Sequence, residues 1–203
     1  MRVAIVGGPG VGKSTLVRQL GDLYHHGSYG EGEKGVWDPR VLEDIEAGRN
    51  AVGVTAYFAA LYDANYRDAA DHDRPDKVIF FEGARITLEA HMAEYPAEQH
   101  AALREVLSVG DAWSPDRVIV LTSSSDTIEK HIRLRHRSHE GIENMVRRFR
   151  LIDDEFRRLA PRYPNTIVVD RDGLEFHERA GLEAIIAAAR LPMFREIPYE
   201  RLA

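Results

Sequence analysis

Met1-Arg2-Val3-Ala4-Ile5-Val6-Gly7-Gly8-Pro9-Gly10-Val11-Gly12-Lys13-Ser14-Thr15 decides how the rest of the chain is read. Val3 to Val6 is a short apolar, β-branched run, the pattern of a central parallel strand buried on both faces. It breaks at Gly7, and Gly7 to Ser14 fits G-x-x-x-x-G-K-S/T at every fixed position. Thr15-Leu16-Val17-Arg18-Gln19-Leu20 then begins a helix. Glycines let the backbone approach an anion with no Cβ in the way, and loop amides converge on it with the positive end of the following helix. The reading assigns Gly8, Pro9, Gly10, Val11, Gly12, Lys13, Ser14 and Thr15 to a triphosphate cradle. Lys13 reaches the β- and γ-phosphates and the Ser14 hydroxyl holds Mg²⁺. Strand, glycine loop and helix in that order predict binding of a nucleoside triphosphate.

Composition narrows the class. A chain of 203 residues predicts a single α/β domain over 1–203 with room for a sizeable core. With no cysteine, disulfides, thiolate zinc sites and cysteine nucleophiles are excluded. No apolar stretch reaches membrane-spanning length, and the first strand begins at residue 2, so the expectation is a cytoplasmic protein with no membrane partner. The net charge of −6 argues against general affinity for nucleic acid. Its distribution is uneven. Lys130 to Arg150 holds seven basic residues and two acids, net +5, which leaves −11 on the remainder. A local basic cluster on an acidic chain suits a small polyanion better than a long DNA backbone.

Farther along, His25 to Gly35 is polar and glycine-rich and reads as a mobile loop. Its His25-His26 pair reads as a solvated helix end. Val36-Trp37-Asp38-Pro39 is expected to end a short second strand. Helices are predicted over Val41–Ala47 and Val52–Ala70, and Lys77–Glu82 is the next buried strand. Helical patterns over Thr87–Ala93 and Ala97–Val109 lead to the apolar strand Arg117–Thr122. Ser123-Ser124-Ser125-Asp126 offers N-caps for a helix through Arg137, and a longer helix covers Gly141–Leu159. Thr166–Asp170 is a last strand and Leu174–Arg190 a last helix. Alternating strands and helices predict a parallel sheet covered on both faces.

In such sheets the site lies at the carboxyl ends of the strands. Glu82 ends a buried strand, where it can hold Mg²⁺ or take a proton from an attacking hydroxyl. Asp38 is the competing base. Arg133, Arg135 and Arg137 splay around a helix end, which suits residues closing on a phosphate from different sides. His131, His136 and His139 show no clear metal-ligand spacing and read as surface or phosphate-proximal.

These features together resemble the deoxynucleoside kinase and thymidylate kinase family of P-loop phosphotransferases. The resemblance covers most of the chain. It rests on Gly7 to Ser14, the acid-proline pair Asp38-Pro39, the Tyr57-to-Arg67 helix, the strand-ending Glu82, Trp113-Ser114-Pro115-Asp116 and Arg135-His136-Arg137-Ser138-His139-Glu140. It implies a three-layer α/β/α fold with a five-stranded parallel sheet and an arginine-bearing helical lid at about 130–150. It also implies Mg-ATP as donor and a nucleoside or nucleoside monophosphate, including a modified one, as acceptor. On that reading Lys13, Arg85, Arg135 and Arg137 serve the transferred phosphoryl group, with Arg133 beside them on the nucleotide. Glu82 or Asp38 orients or deprotonates the acceptor, Ser14 and Glu82 hold the metal, and Asp170 and Arg171 lie by the adenine. The helices at Val52–Ala70 and Ala97–Val109 are where the resemblance implies a homodimer.

The chain departs from the family pattern in its acceptor half. Gly83-Ala84 separates Glu82 from Arg85, no base-reading glutamine stands near Thr55 to Tyr57, and His131 replaces an expected arginine. Two other readings follow. One is a kinase acting on DNA or on a modified base within it, which the acidic remainder disfavours. The other is a switch-like or regulatory P-loop ATPase, for which no switch motif is found.

Overall fold

Five parallel strands form one sheet in the order β2-β3-β1-β4-β5: β1 Arg2–Gly7, β2 Ser28–Tyr29, β3 Ile79–Glu82, β4 Arg117–Thr122 and β5 Thr166–Asp170. The computed structural model describes residues 1–25, 27–31, 37–72, 74, 77–108, 114–134 and 141–192. β1 lies in the centre, with Val3 beside Phe80, Ile5 beside Glu82 and Gly7 beside Leu121. This register brings the end of β1, the glycine loop and Glu82 to the same edge of the sheet.

Alternation along the strands divides the core by face. Val3, Ile5, Phe80, Ile119 and Leu121 pack with α1 (Lys13–Tyr24), α6 (Ser125–Leu134), the start of α7 (Ile142–Leu159) and α8 (Arg179–Ala188). Ala4, Val6, Val118 and Val120 pack instead with α4 (Arg85–His91) and with Ile152, Phe156 and Leu159 of α7. A third cluster joins Ile79 and Phe81 to α3 (Ala51–His72) and α5 (His100–Ser108). There Tyr66 stacks on Phe81 with ring centroids 4.1 Å apart. The architecture is the expected α/β/α arrangement.

Two expectations are corrected. The second strand is Ser28–Tyr29, inside the stretch read as a loop; of the stretch expected to end it, Trp37 to Pro39 leads into a helix, and Val36 lies outside the described residues. The strand has only two residues at the sheet edge, too few for a period-2 pattern to register. Asp38 is instead the N-cap of α2 (Pro39–Ala47): its carboxylate accepts from the Arg40 amide at 2.9 Å, with Pro39 at the first helical position. The last helix also starts late, at Arg179, because Leu174 to Glu178 turns on bonds from the Leu174 amide to Arg171 and from the Glu178 amide to Glu175.

Candidate active site

A cavity of about 650 Å³ runs from the glycine loop between α3, α4 and α7. Pro9, Gly10, Gly12, Lys13, Ser14 and Thr15 line its floor. Gly8 and Val11 support the loop from behind. Gly8 lies against Phe149 of α7, and the buried Val11 presents its carbonyl to Arg171 at 3.1 Å. Gly12 precedes α1 at φ +98 with the Arg171 guanidinium and the Phe176 ring so close that a Cβ would crowd both. Lys13 Nζ donates to the Gly8 carbonyl at 3.3 Å.

Three oxygen-bearing groups meet at the sheet end of this floor. Ser14 Oγ donates to Glu82 Oε1 at 2.8 Å, and the Glu31 amide points at Glu82 Oε2 at 3.4 Å. Glu31 directly follows β2 and is held on several sides. The Trp37 indole N–H donates to its carbonyl at 2.6 Å, and the Tyr62 hydroxyl donates to its carboxylate. Burial, and then the charge of Glu82, push the Glu31 carboxyl above its ordinary range, with Lys13 acting against them. Gly83, at φ +97, leaves the space that the Tyr62 ring fills. The Gly83-Ala84 departure from the family pattern therefore accommodates a tyrosine that bonds to Glu31.

The far wall carries a second polar group. His91 Nδ1 lies 2.6 Å from Glu94 Oε2, and Arg148 of α7 grips the same carboxylate through Nε and, at 3.2 Å, Nη2. Burial alone would raise the Glu94 carboxyl, but the bonds and charges of His91 and Arg148 outweigh it and hold it at about 2. Val54, Thr55, Phe58 and Trp37 add a mostly apolar side, with Trp37 edge-on to Phe58 at 5.2 Å between centroids.

Other described residues singled out from the sequence lie outside the cavity. Asp38 caps α2, so the acid that follows the second strand into the cavity is Glu31. Arg85 pairs with Glu89 at 3.1 Å, and Arg133 pairs with Glu129 on an exposed face of α6. Asp170 ends β5 exposed, accepting from the Asp172 amide at 2.9 Å. Arg171 is 6% exposed and braces the loop, donating to the Val11 and Leu174 carbonyls and to His131 Nδ1, with its guanidinium 4.6 Å from the Phe176 ring centre. Arg135 and Arg137, like His26, His136 and His139, lie outside the described residues. Glu31, His91 and Glu94 carry no sequence signal of their own, whereas Tyr62 belongs to the helix of the resemblance and Arg148 to the basic cluster at 130–150. The one available hint for Glu31 was an acid two residues past an aromatic in a glycine-rich stretch.

Ser14 Oγ and Glu82 form a small all-oxygen set beside the phosphate cradle. That fits Mg²⁺, which takes one or two carboxylates and completes its shell with water and phosphate oxygens. Among the described residues no group of three or more His, Cys, Asp or Glu is placed to hold a metal, and no helix is long and apolar enough to cross a membrane.

No family model matches the sequence, and no curated protein matches it. Solved structures do. Deoxyadenosine kinase from M. mycoides with bound dCTP superposes with a TM-score of 0.68 at 18% identity, over 92% of this chain and 97% of that one. Thymidylate kinase from Candida albicans gives 0.66 at 15% identity, over 93% and 92%. The NadR protein in complex with NR gives 0.58 at 18% identity, over 97% of this chain and 53% of that one. The likeness is one of fold. The five-stranded parallel sheet with flanking helices is that of the P-loop nucleoside and nucleotide kinases.

Proposed function

We propose that the chain is a Mg-ATP-dependent kinase that transfers the γ-phosphoryl group to a hydroxyl of a nucleoside. One observation carries the reading: two carboxylates, Glu31 and Glu82, face the same cavity as Lys13 and Ser14, at the mouth of the phosphate cradle. Lys13 neutralises the phosphate oxygens, and Ser14 with Glu82 holds Mg²⁺, which would supply further charge neutralisation there. Glu31, its carboxyl held above the ordinary range by burial and by Glu82, takes the proton of the acceptor hydroxyl as that hydroxyl's oxygen bonds to phosphorus and ADP leaves. A pair of carboxylates at this point repels a phosphate acceptor and favours a hydroxyl. That supports a nucleoside over the nucleoside monophosphate that the sequence also leaves open. The kinases among the structural neighbours support the coarser class, a nucleoside or nucleotide kinase.

ATP consumption with Mg²⁺ against a panel of common and modified nucleosides, their 5′-monophosphates and short DNA tests the reading. Turnover with a free nucleoside is the expected result, reduced at least about a hundredfold in Lys13→Ala with the fold retained. Turnover with monophosphates or DNA alone would overturn the hydroxyl-of-a-nucleoside assignment. Hydrolysis indifferent to every acceptor would make the protein a switch-like ATPase.

A further inference from the structure

His91, Glu94 and Arg148 have no part in the phosphoryl chemistry above, yet all three line the same cavity. Thr87, Leu88 and His91 reach it from one face of α4. Thr87 touches the Tyr62 hydroxyl at the reacting end, and His91 stands four residues beyond it, about 6 Å along the axis. That offset is about the step from a nucleoside's sugar to the outer edge of its ring. An acceptor with its hydroxyl at Glu31 and Glu82 therefore extends its heterocycle toward His91.

The chemistry of the trio fixes the imidazole. Glu94 is an ionised carboxylate with only 14% of its side chain exposed, and an ionised carboxylate accepts hydrogen bonds without donating. His91 Nδ1 must therefore carry the proton that bonds Glu94 Oε2. Whenever the ring is neutral, the other ring nitrogen, Nε2, bears the lone pair. Arg148 clamps the carboxylate from α7 through two nitrogens, which removes its rotational freedom and that of the ring it holds. From α3 the cavity receives Val54, Thr55, Phe58 and Tyr62, none of which presents an sp² nitrogen or amide. A ring nitrogen on α4 supplies what that helix lacks.

We propose that His91 is the specificity-determining residue of the acceptor subsite, its Nε2 accepting a hydrogen bond from an N–H on the outer edge of the acceptor's heterocycle. The assignment rests on the nucleoside-kinase reading. Glu94 and Arg148 are positioning residues that act through the ring.

Two measurements test it. In ¹⁵N-labelled protein at pH 8.0, the imidazole spectrum of His91 should show Nδ1 protonated and Nε2 bare; the opposite tautomer overturns the proposal without reference to activity. In steady-state kinetics at saturating Mg-ATP, thymidine, deoxycytidine, deoxyadenosine and deoxyguanosine are each compared with the analogue whose edge N–H hydrogens are replaced by methyl groups. For the nucleoside turned over fastest, wild type should prefer the parent by about a hundredfold in kcat/KM, the loss appearing in KM. His91→Leu, similar in bulk but without a hydrogen-bond acceptor, should bring the preference within about threefold while leaving the KM for Mg-ATP unchanged. His91→Gln, whose amide oxygen accepts, should restore about tenfold. A preference that survives in His91→Leu is steric and overturns this proposal alone. If wild type phosphorylates no nucleoside, the kinase reading falls and takes the His91 assignment with it.

Discussion

At the scale of single residues, the identity of the general base turns on where two acids stand. The sequence offers Asp38 as a base in competition with Glu82, because an acid followed by proline matches the family pattern, and it does not offer Glu31. The structure gives that proline a different use, starting α2, and commits the Asp38 carboxylate to the Arg40 amide. Glu31 is held by Trp37, by Tyr62 and through its amide by Glu82, all inside the cavity. Glu31→Gln should therefore lower kcat by about a hundredfold or more with Mg-ATP binding retained. Asp38→Ala should leave kcat within about twofold and cost about 1 kcal/mol of stability, the worth of a helix cap. Activity assays and urea melts on both variants decide between them, and the reverse ranking would return Asp38 to the base position. Lys13, Ser14 and Glu82 were legible because a loop motif and a strand end fix their positions locally. Glu31 was not, since its place depends on an edge strand two residues long and on a tyrosine 31 positions away.

At the scale of elements, the strands and long helices followed their hydrophobic periods, and what escaped was the joining of one to another. The short turn at Met92–Glu94 that ends α4 is bound to α7 by Arg148 and Glu94, 54 residues apart in sequence and invisible to any periodic pattern. The Arg171 brace likewise links the β5–α8 turn to the glycine loop across 160 positions. The α4–α7 joint has a pH signature. Glu94 titrates at about 2 in the fold against 4.5 for a free glutamate. A lowered folded value means stability that is present above the unfolded value and lost as pH falls through the folded one. The loss should run from pH 4.5 down to 2 and amount to the order of 3 kcal/mol. Measured by urea midpoints, the stability gap between wild type and Glu94→Gln should be widest near pH 6 and close toward pH 2. A gap constant across that range would show that the pair contributes no charge-dependent joint.

At the scale of the whole molecule, the cavity draws its walls from α1, α3, β3, α4, α7 and the segment after β2, and two core clusters border it, one through Val17 and Met145 and the other through Tyr62 and Leu88. A ligand that bridges these elements binds the native state and has no comparable site on the unfolded chain. Its binding energy must then appear as global stability. At a free concentration one hundred times its dissociation constant, Mg-ATP should add about 2.7 kcal/mol, which raises Tm by about 5–10 °C for a domain of this length. The shift separates binding from turnover and needs no acceptor. Lys13→Ala should keep the unliganded fold, since among the described residues its ammonium donates one hydrogen bond, to the Gly8 carbonyl at 3.3 Å, and should lose most of the shift. Omitting Mg²⁺ should shrink the shift in wild type, since Ser14 and Glu82 offer oxygens to a cation and Glu82 otherwise adds negative charge beside the phosphates. Glu82→Gln should reduce that dependence on Mg²⁺. Equal shifts with and without Mg²⁺ in wild type would remove the metal from the Ser14–Glu82 site, and no shift at millimolar Mg-ATP would remove the triphosphate from the glycine loop.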